Sequence, residues 1–342
     1  MSGVPEGYKM SEVGVIPEEW DVKTLENITT EIGDGIHSTP QYVPYSDIFF
    51  VNGNNLVDNS IKITDNTLCV SEYEYNKHKK RLNDRTILLS INGTIGNIAF
   101  FNDEKVILGK SAAYINVNNS TNKIFIFYIL QSSGIKNYFE DELTGSTIRN
   151  LSLKTIRNTP IALPPTIEEQ EAIASALSDV DALIAALAQL ITKKRNIKRG
   201  AMQQLLTGKK RLPGFEGAWE VKRLEGILQS AKLGGNYPNS EKETNYPLIK
   251  MGNINRGFID LSKIEFITTG YIPSENDKLE YGDILFNTRN TLELVGKVSI
   301  WKNELPLAYY NSNLMRLEFK QSEVSSNFFM NYILNTKGAP YN

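Results

Sequence analysis

Cysteine and histidine are almost absent. The 342 residues hold one cysteine, Cys69, and two histidines, His37 and His78. A lone thiol excludes an intrachain disulfide framework, and so few soft ligands exclude a His/Cys metal site. Only carboxylates remain as ligands for a hard cation such as Mg²⁺. The scarcity of cysteine suits a reducing cytoplasm, and the chain reads as cytoplasmic. Long apolar runs are lacking as well. The longest unbroken one, Ala182–Ala188, falls short of the ~18–20 residues that cross a bilayer, so no membrane partner is expected. The first twenty residues contain Glu6, Glu12, Glu18 and Glu19 and do not read as a secretory signal. Net charge is only −2, from 37 Lys+Arg against 39 Asp+Glu, so any nucleic-acid footprint must be local. No Walker A, GxSxG or GxGxxG pattern stands in a suitable setting. Leu163-Pro-Pro165 lacks the Asn or Asp that precedes the Pro-Pro of amino-methyltransferase sites, and reads as a helix entry.

What is present is a repeat. Trp20-Asp-Val-Lys-Thr-Leu-Glu-Asn-Ile28 matches Trp219-Glu-Val-Lys-Arg-Leu-Glu-Gly-Ile227 at an offset of 199. The same offset aligns Gly53-Asn54 with Gly252-Asn253. The offset then moves to 197 at Ile87 and Ile284, 200 at Gly96 and Gly296, and 204 at Tyr128-Ile-Leu130 and Tyr332-Ile-Leu334. Drift with matching order is what insertions in surface loops produce. A period this long means a duplicated domain, not a solenoid, and it predicts two similar surfaces with two similar tasks. Length alone also suggests roughly two domains. Nothing in the second copy corresponds to Gly145–Gly208, so the second copy is expected to be incomplete and its own spacer helix absent.

Between the copies, Thr166-Ile-Glu-Glu169 has the form of a capping box,. No Pro or Gly follows until Gly200. Ile173, Leu177, Val180, Ile184, Leu187 and Ile191 step by alternating fours and threes, a heptad seam,. The expectation is one spacer helix over 166–208 that either packs on its own domain or pairs with a second helix, with Gly208 as its stop. Acids lie early on it and bases late: Lys193, Lys194, Arg195, Lys198 and Arg199. This order complements the helix dipole and equally suits a phosphate-facing or partner-facing patch.

Inside the first copy, 47–51, 85–91, 97–101 and 113–117 read as strands, and 124–130 continuing towards Tyr138 reads as helix. The fold class is α+β: two similar mixed domains, 1–165 and 209–342, around the spacer. Polar, glycine-bearing loops follow the strands. In the first copy they present Gly35, His37, Ser38, Asn52, Asn54, Asn92, Thr94, Lys110, Ser111, Ser146, Thr147 and Arg149. In the second they present Asn236, Lys250, Asn253, Asn287, Arg289, Asn311 and Asn313. Asn suits adenine edges, while Arg and Lys suit guanine edges and phosphates. The same residues also make ordinary turns. His37, in a glycine-rich loop, reads as a contact or turn residue, not a base. His78, within Lys77-His-Lys-Lys-Arg81, reads as part of a solvated face. Arg149, Lys110, Lys250 and Arg289 are the expected base or phosphate contacts.

Pro17-Glu-Glu-Trp-Asp-Val-Lys-Thr-Leu25, Gly145-Ser-Thr-Ile-Arg-Asn-Leu-Ser152, Pro160-Ile-Ala-Leu-Pro-Pro165 with Glu169-Gln170, and Leu205-Leu-Thr-Gly-Lys-Lys-Arg-Leu-Pro213 resemble the specificity subunit of type I restriction-modification systems. The resemblance covers the whole chain. It implies a non-catalytic reader of double-stranded DNA, with each of two target-recognition domains reading half of a bipartite sequence. It further implies that the helices set the gap and dock two methyltransferase (modification) subunits, and that a restriction-translocation subunit joins them. S-adenosylmethionine and ATP with Mg²⁺ would belong to those partners, leaving this chain no cofactor of its own. A complete member would carry a second Leu-Pro-Pro and a second long helix, so a silent form is an alternative. A protein-recruiting scaffold with incidental DNA contact is another. A stand-alone nuclease would need acids near a lysine, for which Asp260-Leu-Ser-Lys-Ile-Glu265 is the candidate.

Overall fold

The structure, a computed structural model, describes residues 4–143, 149–289, 291 and 295–336. The chain forms two compact units, Met1–Leu187 and Ala188–Asn342. The boundary falls inside the long helix.

The first unit is built on two four-stranded sheets. One runs Ile98–Phe100, Thr86–Ser90, Ala112–Val117, Thr29–Asp34, antiparallel throughout. The other runs Val106–Leu108, Phe49–Val51, Cys69–Val70, Tyr42–Val43, with its first pair parallel. Thr86–Ser90 is buried along its whole length. Strand alternation divides it between two cores. Ile87 and Leu89 face Ile115, Phe125 and Ile126, while Leu88 faces Val51, Ala99 and Leu108. A strand covered on both faces reads as a continuous apolar run, which is why Ile-Leu-Leu stands out in the sequence.

The second unit repeats this arrangement. Its sheets run Val298–Ile300, Ile284–Asn287, Leu314–Phe319, Leu228–Leu233, and Tyr309–Tyr310, Pro247–Ile249, Glu265–Ile267, Asn239–Ser240. The order is the same and the parallel pair recurs in the same place. Duplication is therefore a fact of topology as well as of sequence.

Two expectations are corrected. The helix expected to continue towards Tyr138 is two helices, Lys123–Gln131 and Ser133–Asp141. Ser132 separates them because its hydroxyl accepts from the Ile135 N–H as an N-cap,. The paired openers also differ. Asp21–Thr24 pairs antiparallel with Pro160–Leu163, and the Trp20 indole donates to Glu169 at 3.1 Å. In the second unit 219–223 forms no strand, and Val221 is 94% exposed. No strand among the described residues plays the part of Pro160–Leu163 there.

The long helix spans Ile167–Leu205, 39 residues, or roughly 60 Å at ~1.5 Å per residue. Thr166 caps it, accepting from the Glu169 N–H at 3.2 Å. Its first turns pack on the first unit. Gln170 is buried and accepts from the Asn122 N–H, Ala174 enters the core, and the Tyr128 hydroxyl donates to Asp181 at 2.8 Å. Beyond Leu205 the chain turns at Gly208, whose φ of +70° favours glycine,.

Unbroken runs understate this helix. It contains an 18-residue window of mean hydropathy 1.5, long and apolar enough by length and composition to cross a membrane. Asp179 and Asp181 interrupt its apolar half, and charges at mid-bilayer are costly. Its first turns are also held to a folded domain through Tyr128 and Gln170.

Candidate nucleic-acid interface

In the first unit the polar loops converge at one end of the sheets. Gly35 packs so close that a Cβ would lie 2.2 Å from the Leu108 carbonyl oxygen, and its N–H donates to Ala112 O at 3.0 Å. Gly109 meets the Asn52 side chain with equal closeness. The Ser111 hydroxyl donates to Asn52 Oδ1 at 2.9 Å and accepts from the Gly53 N–H at 2.9 Å. The Ser90 hydroxyl donates to the Thr94 carbonyl oxygen, closing the turn after its strand. Asn92 bridges Asn150. Loops 34–38, 52–55, 91–96, 109–111 and 149–151 thus form one polar end.

This packing sorts the expected contact residues. His37, Ser38, Asn54, Thr94, Lys110 and Arg149 are exposed. Asn52, Asn92 and Ser111 are half-buried, with the Asn52 and Ser111 side chains tied to each other. Gly35 is buried and closely packed. Ser146 and Thr147 lie outside the described residues. The His37 ring is 2.7 Å from the Asp34 carboxylate, with most of its surface open. Arg149 also borders a cleft of about 620 Å³ shared with Lys136, Gln131, Asn97 and Asn59.

In the second unit more of the expected residues are internal. Asn253, Asn287 and Asn311 are buried. Asn253 accepts from the Lys250 N–H at 2.9 Å and donates to Asp260 O and Lys263 O, both at 2.9 Å. Lys250 is tied to Glu265 at 2.8 Å and Asn239 at 2.9 Å. Asn311 accepts from the Asn313 N–H at 3.2 Å, and Asn313 is half-buried. The three buried side chains lie within the loop frame, as buried polar groups must be satisfied internally, while Lys250 and Asn313 are half-buried beside them,. Asn236 and Arg289 remain exposed.

The candidate acid cluster is likewise engaged locally. Asp260 accepts from the Ser262 N–H at 2.9 Å, which holds its carboxyl below the usual range, and Glu265 pairs with Lys250. Among the described residues no group of three His, Cys, Asp or Glu could hold a metal. Burial is the main influence on the tyrosines whose hydroxyls are held above the usual range. It raises Tyr114, whose hydroxyl donates to Glu31 at 2.7 Å and adds to the shift. Burial also lowers Lys123, which lies over the Phe100 ring.

One internal alignment shifts by a residue. Asn55 accepts from the Asn52 N–H at 3.0 Å and donates to Lys62 O at 3.1 Å. It therefore plays the part of Asn253, at an offset of 198. The shared Gly-Asn dipeptide conceals this, because only the hydrogen bonds reveal the register. By contrast, the insertion inferred before Gly96 and Gly296 holds. Ser90 and Asn287 each accept from that glycine's N–H at 2.9 Å.

On the long helix, Leu177, Val180, Ile184, Leu187 and Ile191 are 41–59% exposed, as are Leu183, Leu190 and Ile197. Ile173 is not part of this open face, for it packs against the first unit's core. The row 183, 190, 197 escaped the count of fours and threes, although its own period of seven is plain. Together these rows make an open apolar face. In the second unit Lys198 lies over the Tyr332 ring at 5.5 Å.

The family described as type I restriction modification DNA specificity domain matches residues 17–195 and 216–339. The protein described as the type I restriction enzyme MjaX specificity subunit of Methanocaldococcus jannaschii is 31% identical over 215 residues, 60% of this chain and 47% of that protein. The type I restriction enzyme EcoKI specificity subunit of Escherichia coli is 24% identical over 315 residues, 84% of this chain and 66% of that protein. The chain thus spans between about half and two thirds of the length of these relatives. The crystal structure of a type I restriction-modification system S subunit from M. genitalium superposes with a TM-score of 0.54 at 19% identity, covering 92% of this chain and 77% of the other. That likeness supports the fold.

Proposed function

The chain belongs to the family of type I restriction modification DNA specificity domains, and from that membership we propose that it is the DNA-reading subunit of a type I restriction-modification complex. Each unit reads one half of a bipartite double-stranded target. The chain itself carries no reaction. S-adenosylmethionine chemistry belongs to modification subunits, two of which dock on the long helix. ATP with Mg²⁺ belongs to a restriction-translocation subunit. The complex works in the cytoplasm.

The observation that carries this reading is the repetition of one loop frame at the polar end of two units whose four-stranded sheets share one strand order. A duplicated frame with differing side chains suits a target of two unlike halves. Loop backbones pinned by glycine contacts and internal Asn bonds hold outward side chains still, so recognition does not first have to order them. The open helix face supports the docking of partners, since a long apolar stripe is costly to leave in water.

Co-expression with the cognate modification subunit, followed by single-molecule mapping of DNA methylation, tests this. Methylation confined to one bipartite motif is expected. Motif-independent methylation, or none when that modification subunit is active with another specificity chain, would refute the reading.

A further inference from the structure

The two units lay their loops on the same hydrogen bonds. Gly35 N–H donates to Ala112 O at 3.0 Å, and Gly234 N–H to Leu314 O at 3.2 Å. Gly109 N–H donates to Val51 O at 2.8 Å, and Asn311 N–H to Ile249 O at 3.1 Å. Asn52 N–H donates to Asn55 Oδ1 at 3.0 Å, and Lys250 N–H to Asn253 Oδ1 at 2.9 Å. These bonds set the correspondence residue by residue. His37 stands where Asn236 stands, Asn54 where Gly252 does, and Lys110 where Ser312 does. Five of these six residues are exposed and Ser312 is partly so.

Other loop positions also differ between the copies, but there one member of the pair is tied to a neighbour: Tyr237, opposite exposed Ser38, donates to Asp277, and Asn92, opposite exposed Arg289, bridges Asn150. Lys250 holds Glu265 and Asn239, and Asn311 holds Asn313. The three exposed pairs are where a fixed frame presents different chemistry outward. We infer that the base preference of each half-site is set at the pairs His37/Asn236, Asn54/Gly252 and Lys110/Ser312. This rests on the DNA-reading function proposed above. Lys110 offers only donors, which match the O6 and N7 acceptors of guanine. Asn236 offers a donor and an acceptor, which match adenine N6 and N7. The first half-site should therefore require a guanine that the second does not.

The test uses the full chain with its modification subunit and reads the methylated motif. The graft His37→Asn, Asn54→Gly, Lys110→Ser places the second unit's residues on the first frame. The reciprocal graft, Asn236→His, Gly252→Asn, Ser312→Lys, is sterically open at its glycine, where an added Cβ meets nothing within 4 Å. Each graft is expected to change one half of the motif and leave the other half intact. Lys110→Ser alone should relax one guanine at least tenfold in relative methylation. An unchanged motif in both grafts overturns the inference and leaves the DNA-reading function standing. Uniform loss of methylation by Lys110→Ser, with base preference unaltered, also overturns it, because it marks a phosphate contact. A parent chain without any motif would instead refute the underlying function.

Discussion

Asn253 and Asn55 do the same work at two depths. Asn253 is 3% exposed and its side chain serves three backbone groups, whereas Asn55 is half-buried and serves two. Removing a buried hydrogen-bonding side chain leaves its partners unsatisfied, at about 1–3 kcal/mol. Asn253→Ala should therefore destabilise the second unit by about that amount, and Asn55→Ala the first unit by less, measured by urea denaturation. Equal, negligible losses would show that water replaces these bonds. Glu318 supplies a pH-dependent case. The Ser230 hydroxyl donates to it at 2.5 Å, and Lys232 and Arg316 lie at 3.6 and 3.4 Å. The serine bond foremost, then these cations, hold its carboxyl below the usual range against the effect of burial. A carboxyl lowered by folding stabilises the native state above its unfolded value, and that contribution fades as pH falls through the lower folded value. Glu318→Gln should thus melt below the parent at pH 7, with the gap closing as pH drops below the ordinary glutamate range. A gap constant with pH would assign the interaction to a neutral hydrogen bond. Neither residue was identifiable by type alone, since Asn and Glu are common in turns and on surfaces.

Elements were more legible than their caps. Continuous apolar strands, the proline-marked helix entry and the seven-residue period declared themselves through burial patterns that are local in sequence. The break at Ser132 and the half-burial of Ile173 depend on what packs nearby, and no local count reveals that. The long helix yields a prediction at this scale. Leu183 and Leu190 are 59% and 47% exposed and touch no core cluster. Leu183→Lys with Leu190→Lys should leave circular dichroism and melting unchanged, because no internal packing is lost. The same double variant should abolish co-purification with the modification subunit, since two lysines would face an apolar partner surface. Retained co-purification would place docking elsewhere on the chain.

For the molecule as a whole, duplication was readable because short motifs recur in the same order, such as 20–28 with 219–227 and Ile87-Leu88 with Ile284-Leu285, although matching strands such as Ala112–Val117 and Leu314–Phe319 share no residue. The drifting offsets located the insertion before Gly96 and Gly296 but missed by one residue at Gly53-Asn54, where the hydrogen bonds give an offset of 198. Composition excluded disulfides and a His/Cys metal site because those need residues the chain does not have. The openers show where that reading stops. Trp20 and Trp219 begin near-identical segments, yet only the first lies in a paired strand, because pairing requires a partner from a distant part of the chain. Likewise, the sequence determined that polar loops follow the strands in both copies, through turn chemistry that operates over a few residues. Only the tertiary structure decided which of those loop residues face inward as scaffold and which face outward. That choice depends on close approaches between segments tens of residues apart, such as Gly35 to Leu108 and Asn52 to Ser111, and on the rule that a buried polar group finds its partner wherever the fold provides one,.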